Sequence, residues 1–332
     1  MEAQSVDAIP EGDEWQYEPK WDGFRCLVFR DGDHVELQSK AGQPLARYFP
    51  EIVTAVLALA PRQFILDGEL AIPEGEAFSF DNLLLRLHPA ESRVRKLAAA
   101  TPAIFIAFDL LADEDGRSLA TLPLEERRPR LDKFAEQHFS GHRQFRLSPA
   151  TTRLADAREW LNRVGSTLDG IIAKRRDLPY RAGERDGMVK VKNYRSADCV
   201  VGGFRYGAGK PVVGSLLLGL YNDAGTLDHV GFTSSFKASE RPALTEKLQP
   251  LIKPPGFTGR APGGPSRWNG GKESKWEPLL PKLVAEVSYD HFTGGRFRHG
   301  TKLLRWRPDK EPRQCTFEQV RQKHADLVQL LR

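Results

Sequence analysis

The segment Tyr17–Cys26, YEPKWDGFRC, places a lysine and an aspartate beside a glycine inside an otherwise strand-like run. Strands favour β-branched and aromatic residues, so Lys20, Asp22 and Gly23 interrupt the pattern. A solvated turn explains many such interruptions. A lysine held in a pocket also explains this one, because an uncharged lysine amine is a nucleophile. The segment alone leaves both interpretations open.

Four further polar clusters lie inside or at the ends of apolar segments, where a charge is costly without a purpose. They are LDGEL (66–70), FDLL (108–111), LDGIIAKR (168–175) and MVKVK (188–192). Strand alternation in MVKVK puts Lys190 and Lys192 on one face, where they repel unless an anion lies near. Glu69 and Asp169 offer oxygen atoms to a sugar hydroxyl or a divalent cation. Each cluster alone also fits a turn, a core residue or a solvated edge, so only their order and spacing together are specific.

Composition limits the class of protein. The 332 residues suit two domains, and an apolar content of 40% indicates a globular chain. A net charge of +5 with local basic clusters favours an anionic partner. Cys26, Cys199 and Cys315 lie far apart without a CxxC pair, so neither a zinc site nor a disulfide framework is indicated. No apolar run reaches membrane-spanning length, which predicts a cytoplasmic protein without membrane contact.

Hydrophobic patterns predict a mixed first part of the chain, up to about residue 194. A hairpin is expected over 24–40, and the turn residues DGD support it. The other predicted strands are 63–72, 103–112, 169–176 and 187–195, and the predicted helices are 49–60, 80–100 with a break at Pro89, 124–139 and 152–164.

The sequence pattern changes after about Asn193, where short predicted strands separated by Gly and Asp indicate a small β-barrel or meander. A Pro/Gly-rich loop is expected within it, over 253–276, and a helix at its end, over 316–331. We therefore predict a first domain over 1–194 and a second over 195–332, joined by a hinge near 193–198.

Taken in order, the clusters resemble the motifs of the covalent nucleotidyltransferase superfamily, and within it those of the ATP-dependent DNA ligases. KWDGFR, LDGEL, LDGIIAKR and MVKVK resemble motifs I, III, IV and V, and 296–310, RFRHGTKLLRWRPDK, resembles motif VI. The segments APGGPSRW and VSYDHFTGGRFRHGT are similar to short bacterial ligases of the LigC type. The resemblance implies an α+β fold: an adenylation domain of antiparallel sheets with helices, then a C-terminal OB-fold β-barrel.

The resemblance also implies roles for individual residues. Lys20 would carry AMP, with Asp22 orienting it. The nucleotide-binding residues would be Glu18, Lys20, Arg25, Glu69, Phe108, Lys174, Lys190 and Lys192. Asp169 and Glu69 would hold Mg²⁺ or Mn²⁺. Lys40 and Arg47 would bind the 5′-phosphate at a DNA nick, and the catalytic set would include Lys190 and Lys192 with the motif VI residues Arg305, Arg307, Asp309 and Lys310, which orient pyrophosphate.

The implied reaction joins a 5′-phosphate to a 3′-hydroxyl at a nick in duplex DNA through lysyl-AMP and DNA-adenylate, by a monomer acting in repair at the nucleoid. Loop residues Arg260, Arg267, Lys272 and Lys275 could add phosphate contacts. Lys40 and Asp169 stand where ligases usually have arginine and glutamate. The adenine-contacting segment that precedes motif I in the family is not evident before Asp7. An RNA ligase, a GTP-using capping enzyme and a nucleic-acid-binding protein with an inactive domain remain as alternatives.

Overall fold

The structure, a computed structural model, describes residues 1–164, 168–209, 211–263, 275–321 and 327–331. The chain forms two packing units, Met1–Asn193 with Lys323–Arg332, and Tyr194–Gln322. The predicted second domain ran to residue 332, and the difference lies at the C-terminal end. Leu327 is buried in the core of the first unit, and its N–H donates to the carbonyl of Glu76.

The first unit combines strands and helices. Its strands are β1 Gln4–Ser5, β2 Trp15–Lys20, β3 Phe24–Asp31, β4 His34–Ser39, β5 Gln63–Ala71, β6 Pro73–Glu74, β7 Ala77–Phe78, β8 Ile104–Ala112, β9 Phe145–Leu147, β10 Gly170–Arg175 and β11 Met188–Lys192. Its helices are α1 Pro50–Ala58, α2 Phe80–Arg86, α3 Glu91–Ala100, α4 Leu124–His138 and α5 Leu154–Val164. The predicted hairpin, strands and helices of this part are confirmed to within a few residues.

Two sheets position the polar clusters. One has the order β1-β11-β10-β2 and the other β4-β3-β5-β8-β9, with parallel pairing only at β1/β11 and β8/β9 among the described strands. β5 and β8 are interior strands, which explains their long apolar runs. Gly23 precedes β3, and a Cβ there would lie 2.2 Å from the carbonyl oxygen of Leu70 on β5. Only glycine therefore allows this turn to pack against β5.

Helix ends follow the sequence signals. Pro50 occupies the first turn of α1, and Ser79 caps α2 by accepting a hydrogen bond from the Asn82 N–H at 3.4 Å. α4 buries Leu124, Leu131 and Phe134, and the last two belong to the core of the second sheet. This periodic apolar stripe is what made α4 predictable.

The second unit is a β-barrel. Its strands are β12 Arg195–Tyr206, β13 Val213–Tyr221, β14 Leu227–Thr233, β15 Glu277–Pro278, β16 Val284–Tyr289, β17 Phe292–Thr293, β18 Arg296–Phe297 and β19 Lys302–Trp306, with helix α6 Arg241–Leu248. The main sheet has the order β14-β13-β12-β16-β19. A bridge between Thr233 and Thr301 brings its two edges together, and the Thr233 hydroxyl donates to the Thr301 carbonyl at 2.8 Å. The predicted fold class, with a C-terminal sheet consistent with an OB-fold, is confirmed.

The predicted C-terminal helix over 316–331 is wrong for the described residues. Phe317–Val320 and Val328–Leu331 form separate 3₁₀ turns. Residues 322–326, which the prediction included, lie outside the described part of the chain. Cys26, Cys199 and Cys315 are free and buried. Among the described helices, none combines the length and the apolar character needed to cross a membrane.

Candidate active site

A cavity of about 190 Å³ opens in the first unit between its two sheets. Charged, aromatic and apolar side chains line it together. The predicted site residues in its lining are Glu18, Lys20, Arg25, Lys40, Glu69, Phe108, Lys174 and Lys190. Residues from all five clusters therefore line one pocket, although the clusters span more than 170 residues of the chain.

Lys20 is the last residue of β2, and it faces Gly170 across the β2/β10 pair. A Cβ on Gly170 would lie 2.0 Å from the carbonyl oxygen of Val191, so glycine lets β10 and β11 close at this point. The Lys20 ammonium donates to the carboxylate of Asp169, which is only 6% exposed. The resemblance assigned the orientation of Lys20 to Asp22, whereas this contact is made by Asp169.

Arg25 is held from behind by a buried carboxylate. Its Nε and Nη2 donate to the two oxygens of Asp67 at 3.1 and 2.7 Å, and Asp67 is fully buried. The Tyr180 hydroxyl also donates to Asp67 at 2.8 Å. Attraction from Asp67 outweighs the effect of burial and raises the pKa of Arg25. This bidentate pair fixes the guanidinium at the pocket wall.

Two cations lie near the aromatic ring of Phe108. The Nζ of Lys174 is 4.5 Å from the centre of its ring, and the Cζ of Arg25 is 5.8 Å away. Lys174 also pairs with Glu18 at 2.8 Å, and both side chains are buried. These contacts hold an aromatic face and a buried ion pair at the pocket, an arrangement suited to stacking a base and fixing its polar edge.

Burial and the neighbouring charges change the pKa values of the charged groups in the pocket. Burial raises the pKa of Glu69 to about 8, against the attraction of Lys20 and Arg25. Burial, followed by repulsion from Lys20 and Lys192, lowers the pKa of Lys190. Lys190 makes no ion pair within the described residues, so the pocket holds positive charge that an anionic ligand would balance.

Among the described residues of the first unit, four predicted site residues do not line the cavity: Asp22, Asp169, Lys192 and Arg47. Asp169 still reaches the site through Lys20. Lys192 shares the face of β11 with Lys190, as the alternation of the strand predicts. Arg47 lies in a 3₁₀ turn, where it donates to the Pro89 carbonyl at 2.8 Å.

The residues before Asp7, in which the sequence showed no evident adenine-contacting segment, reach the pocket. Ala3 is part of its lining, and the Met1 carbonyl accepts a hydrogen bond from Arg25. Strand β1 pairs with β11, and the Val6 N–H donates to the Lys190 carbonyl at 3.0 Å. Glu2 also pairs with Lys40 at 3.4 Å.

The motif VI residues lie in the second unit, on and just after β19. Arg305 is 65% exposed and donates to Glu286 at 2.6 Å. Arg307 is bound by Asp198 and Asp309, and Lys310 lies 3.1 Å from Asp198. Among the loop residues, Arg260 donates to the carbonyls of His229 and Gly295, which makes it an anchor of its own loop. Arg267 and Lys272 lie outside the described residues, and Lys275 is exposed.

Comparison with known proteins shows which family the chain belongs to. The model of the ATP dependent DNA ligase domain matches residues 1–192, and that of the ATP dependent DNA ligase C-terminal region matches 209–310. The chain belongs to the ATP-dependent DNA ligase family. It is 46% identical to DNA ligase C2 of Mycolicibacterium smegmatis, over 96% of this chain and 93% of that protein. It is 44% identical to DNA ligase C of Mycobacterium tuberculosis, over 96% of this chain and 92% of that protein.

A solved structure of a Lig E DNA ligase is similar in fold. It has a TM-score of 0.56 and 20% identity, and the match covers 92% of this chain and all of the other, at 100%. At that identity the likeness concerns the fold alone. The family membership confirms the resemblance drawn from the five clusters, and it implies ATP and a covalent adenylate for this ligase.

Sequence reasoning missed several residues that support the ligase pocket. Asp67, Asp109 and Tyr180 were not assigned roles, yet Asp67 fixes Arg25 and Asp109 binds the buried Arg127 at 2.9 Å. One signal was available, since Asp67 and Glu69 are two apart on β5 and therefore share a face with the Arg25 side of β3. Tyr180 gave no local signal, because it lies outside any strand or helix.

Proposed function

We propose that this ATP-dependent DNA ligase seals nicks in duplex DNA during repair and that Lys20 is the residue that carries AMP. The observation that supports this most is the position of Lys20. It ends a strand at the wall of the pocket, beside an aromatic ring, several cations and the carboxyl groups of Glu18, Glu69 and Asp169. A nucleotide needs the ring for its base and the cations for its phosphates.

In the first step, Lys20 Nζ attacks the α-phosphorus of ATP. A phosphorus–nitrogen bond forms, the bond from the α-phosphorus to the bridging oxygen breaks, and pyrophosphate leaves. Lys20 must lose a proton before it attacks, and Asp169 is the carboxylate in contact with it. Lys190 stabilises charge on the α-phosphate, because it lies in the same cavity and is not otherwise paired in the described chain.

The pocket also suits a divalent cation. Asp169 is a buried carboxylate, and Glu69 places a second carboxyl group in the cavity lining. Carboxylate oxygens are the ligands that Mg²⁺ and Mn²⁺ prefer. Asp169 and Glu69 would hold such an ion, which would supply charge stabilisation at the phosphates.

The remaining steps act on DNA. The 5′-phosphate at the nick displaces Lys20 from AMP, and the 3′-hydroxyl then attacks that phosphate and releases AMP. Lys40 is well placed for the DNA phosphate, since its side chain is 56% exposed while it also lines the cavity. Arg47 lies on the same unit in an exposed turn. We assign both residues to the DNA backbone, with the enzyme acting as a monomer.

The proposal is tested by incubating the protein with labelled ATP and Mg²⁺ or Mn²⁺, then mapping the adduct by peptide mass spectrometry. We expect one AMP on the peptide that contains Lys20 and none in Lys20→Ala. Lys133→Ala, which removes an exposed lysine from α4, is the matched control and should label normally. A labelled Lys20→Ala protein would contradict the assignment.

A second arm separates the alternatives. Labelled GTP in place of ATP should give no adduct, and nicked DNA should be sealed faster than the same nick in RNA. Preference for GTP would favour a capping enzyme, and preference for RNA would favour an RNA ligase. A protein that binds nicked DNA but forms no adduct with either nucleotide would be an inactive binding protein.

A further inference from the structure

The second unit holds a row of charges that crosses its sheet. Asp198 on β12 lies directly opposite Glu286 on β16, and Glu286 lies directly opposite Arg305 on β19. Two carboxylates that face each other across a strand pair repel, which destabilises the sheet unless a cation joins them. The two carboxylates therefore need a cation that is contributed by a residue outside these three paired positions.

Arg307 is that cation. Its Nη1 donates to both oxygens of Asp198 at 2.9 and 3.1 Å, and the same atom lies 3.8 Å from Glu286. Its other nitrogens donate to Asp309, with the shortest contact at 2.8 Å. The Arg307 side chain is only 18% exposed. Its donors are thus directed at carboxylates, which leaves little of the guanidinium for a ligand.

Asp198 also holds a second cation and is itself fixed from behind. Lys310 lies 3.1 Å from its carboxylate, and the Lys310 N–H donates to the Arg307 carbonyl at 3.2 Å. The side chain of Gln319 bonds both backbone groups of Asp198, accepting from its N–H at 3.0 Å and donating to its carbonyl at 3.1 Å. Asp198 is only 7% exposed, and removing its charge would take the carboxylate partner from Lys310 and leave Arg307 paired mainly with Asp309.

We infer that Asp198 is a positioning residue for ATP-dependent self-adenylation, which acts by holding Arg307 and Lys310 in the arrangement that meets the pyrophosphate leaving group. This inference rests on the proposed role of the motif VI residues. Arg307 is then a framework cation, and Lys310 and the exposed Arg305 are the groups that touch phosphate. Glu286 has the corresponding role for Arg305, and its hydrogen bond from Arg305 lowers the pKa of Glu286.

The test measures two rates for each variant, the formation of lysyl-AMP from ATP and the closure of a pre-adenylated nick, which involves no pyrophosphate. We expect Asp198→Asn to slow the first about 10- to 100-fold and the second less than about threefold. Because Asp198 acts through Arg307, adding Arg307→Gln should reduce adenylation by much less than the product of the two single losses. Asp223→Asn, which removes an exposed carboxylate paired with Arg321 in the same unit, is the matched control.

The outcomes separate this inference from the function on which it rests. If Lys310→Ala and Arg305→Ala adenylate normally, the proposed role of motif VI fails. If those variants are slow while Asp198→Asn matches the wild type, the role of Asp198 is overturned. Should Asp198→Asn not fold, Glu286→Gln replaces it and should slow adenylation with nick closure intact. Equal losses in both rates for Glu286→Gln would overturn the inference.

Discussion

The nucleotide pocket of the first unit and the motif VI surface of the second differ in how fully their cations are paired. In the pocket, Lys190 lies near Lys20 and Lys192, and their repulsion contributes to the lowered pKa of Lys190. On the motif VI surface, Arg305, Arg307 and Lys310 are each paired with a carboxylate. The pocket is thus prepared for an anion, whereas an anion at motif VI must compete with Asp198, Asp309 and Glu286.

This difference suits two different tasks. A site that holds AMP through every step gains from a standing excess of positive charge. A site that meets pyrophosphate in only one step gains from cations that stay paired with internal carboxylates, since this limits the affinity for the product. We infer that the pocket serves all three steps of ligation and motif VI only the first.

The largest expected effect comes from the buried charge behind the pocket. Asp67→Ala would leave Arg25 without its bidentate partner and should lower the free energy of unfolding by about 3–5 kcal/mol. The measurement is urea denaturation. Asp33→Ala removes an exposed ion pair with Arg62, in which the Arg62 side chain is 63% exposed and that of Asp33 is 85% exposed. It should lower the free energy of unfolding by less than about 1 kcal/mol. Similar losses for both variants would mean that the Arg25–Asp67 pair has no special role.

The contact between Lys20 and Asp169 gives the next effect. Asp169→Asn should slow lysyl-AMP formation about 10- to 100-fold, because it removes both a carboxylate ligand and the partner of Lys20. The metal concentration needed for half-maximal adenylation should rise as well. Asp169→Glu should keep more activity than Asp169→Asn, since the ligases that this chain resembles usually carry glutamate there. If Glu is as harmful as Asn, the pocket requires the shorter side chain.

Phosphate contacts outside the pocket should have a smaller effect. Lys40→Ala should reduce nick sealing about 10-fold, leave lysyl-AMP formation near normal, and lower the slope of log affinity for nicked DNA against log salt by about 1. Binding at several salt concentrations gives this slope, and Lys133→Ala serves as the control. An unchanged slope would show that Lys40 does not contact a phosphate.

The smallest expected effect is on folding stability at acidic pH. Burial, followed by repulsion from Arg205 and Arg260, lowers the pKa of His229 from its ordinary 6.5 to about 4. Between pH 6.5 and 4 the unfolded chain therefore binds a proton that the folded chain does not, so stability falls as the pH falls through this range. His229→Phe should reduce this loss by about 1 kcal/mol, because the ring is partly exposed. Melting curves at pH 7 and pH 4.5 would detect it, and parallel curves for both proteins would contradict it.

Local patterns in the sequence predicted local structure well. The alternation in MVKVK placed Lys190 and Lys192 on one face, and the apolar runs of β5 and β8 marked interior strands. The C-terminal helix was predicted wrongly, because Leu327 packs in the core of the first unit. Tertiary contacts overrode the local helical preference there.

Contacts between distant residues left no such pattern. Asp198 and Arg307 are 109 residues apart, and Arg25 and Asp67 are 42 apart, so spacing along the chain does not reveal either pair. The resemblance to a family implied which residues would meet the nucleotide, but it did not include Asp67 and Asp198, the carboxylates that hold Arg25 and Arg307. Those supporting groups became visible only with the strand register.

The most direct test of the division between the two units compares Lys190→Ala with Lys310→Ala in the same pair of assays. Lys190→Ala should lose about 30- to 1000-fold both in lysyl-AMP formation and in closure of a pre-adenylated nick, because we propose that its cation faces the AMP phosphate in every step. Lys310→Ala should lose a similar factor in lysyl-AMP formation and less than about threefold in closure. If the two variants show the same ratio of losses, motif VI and the pocket do not divide the reaction as we describe.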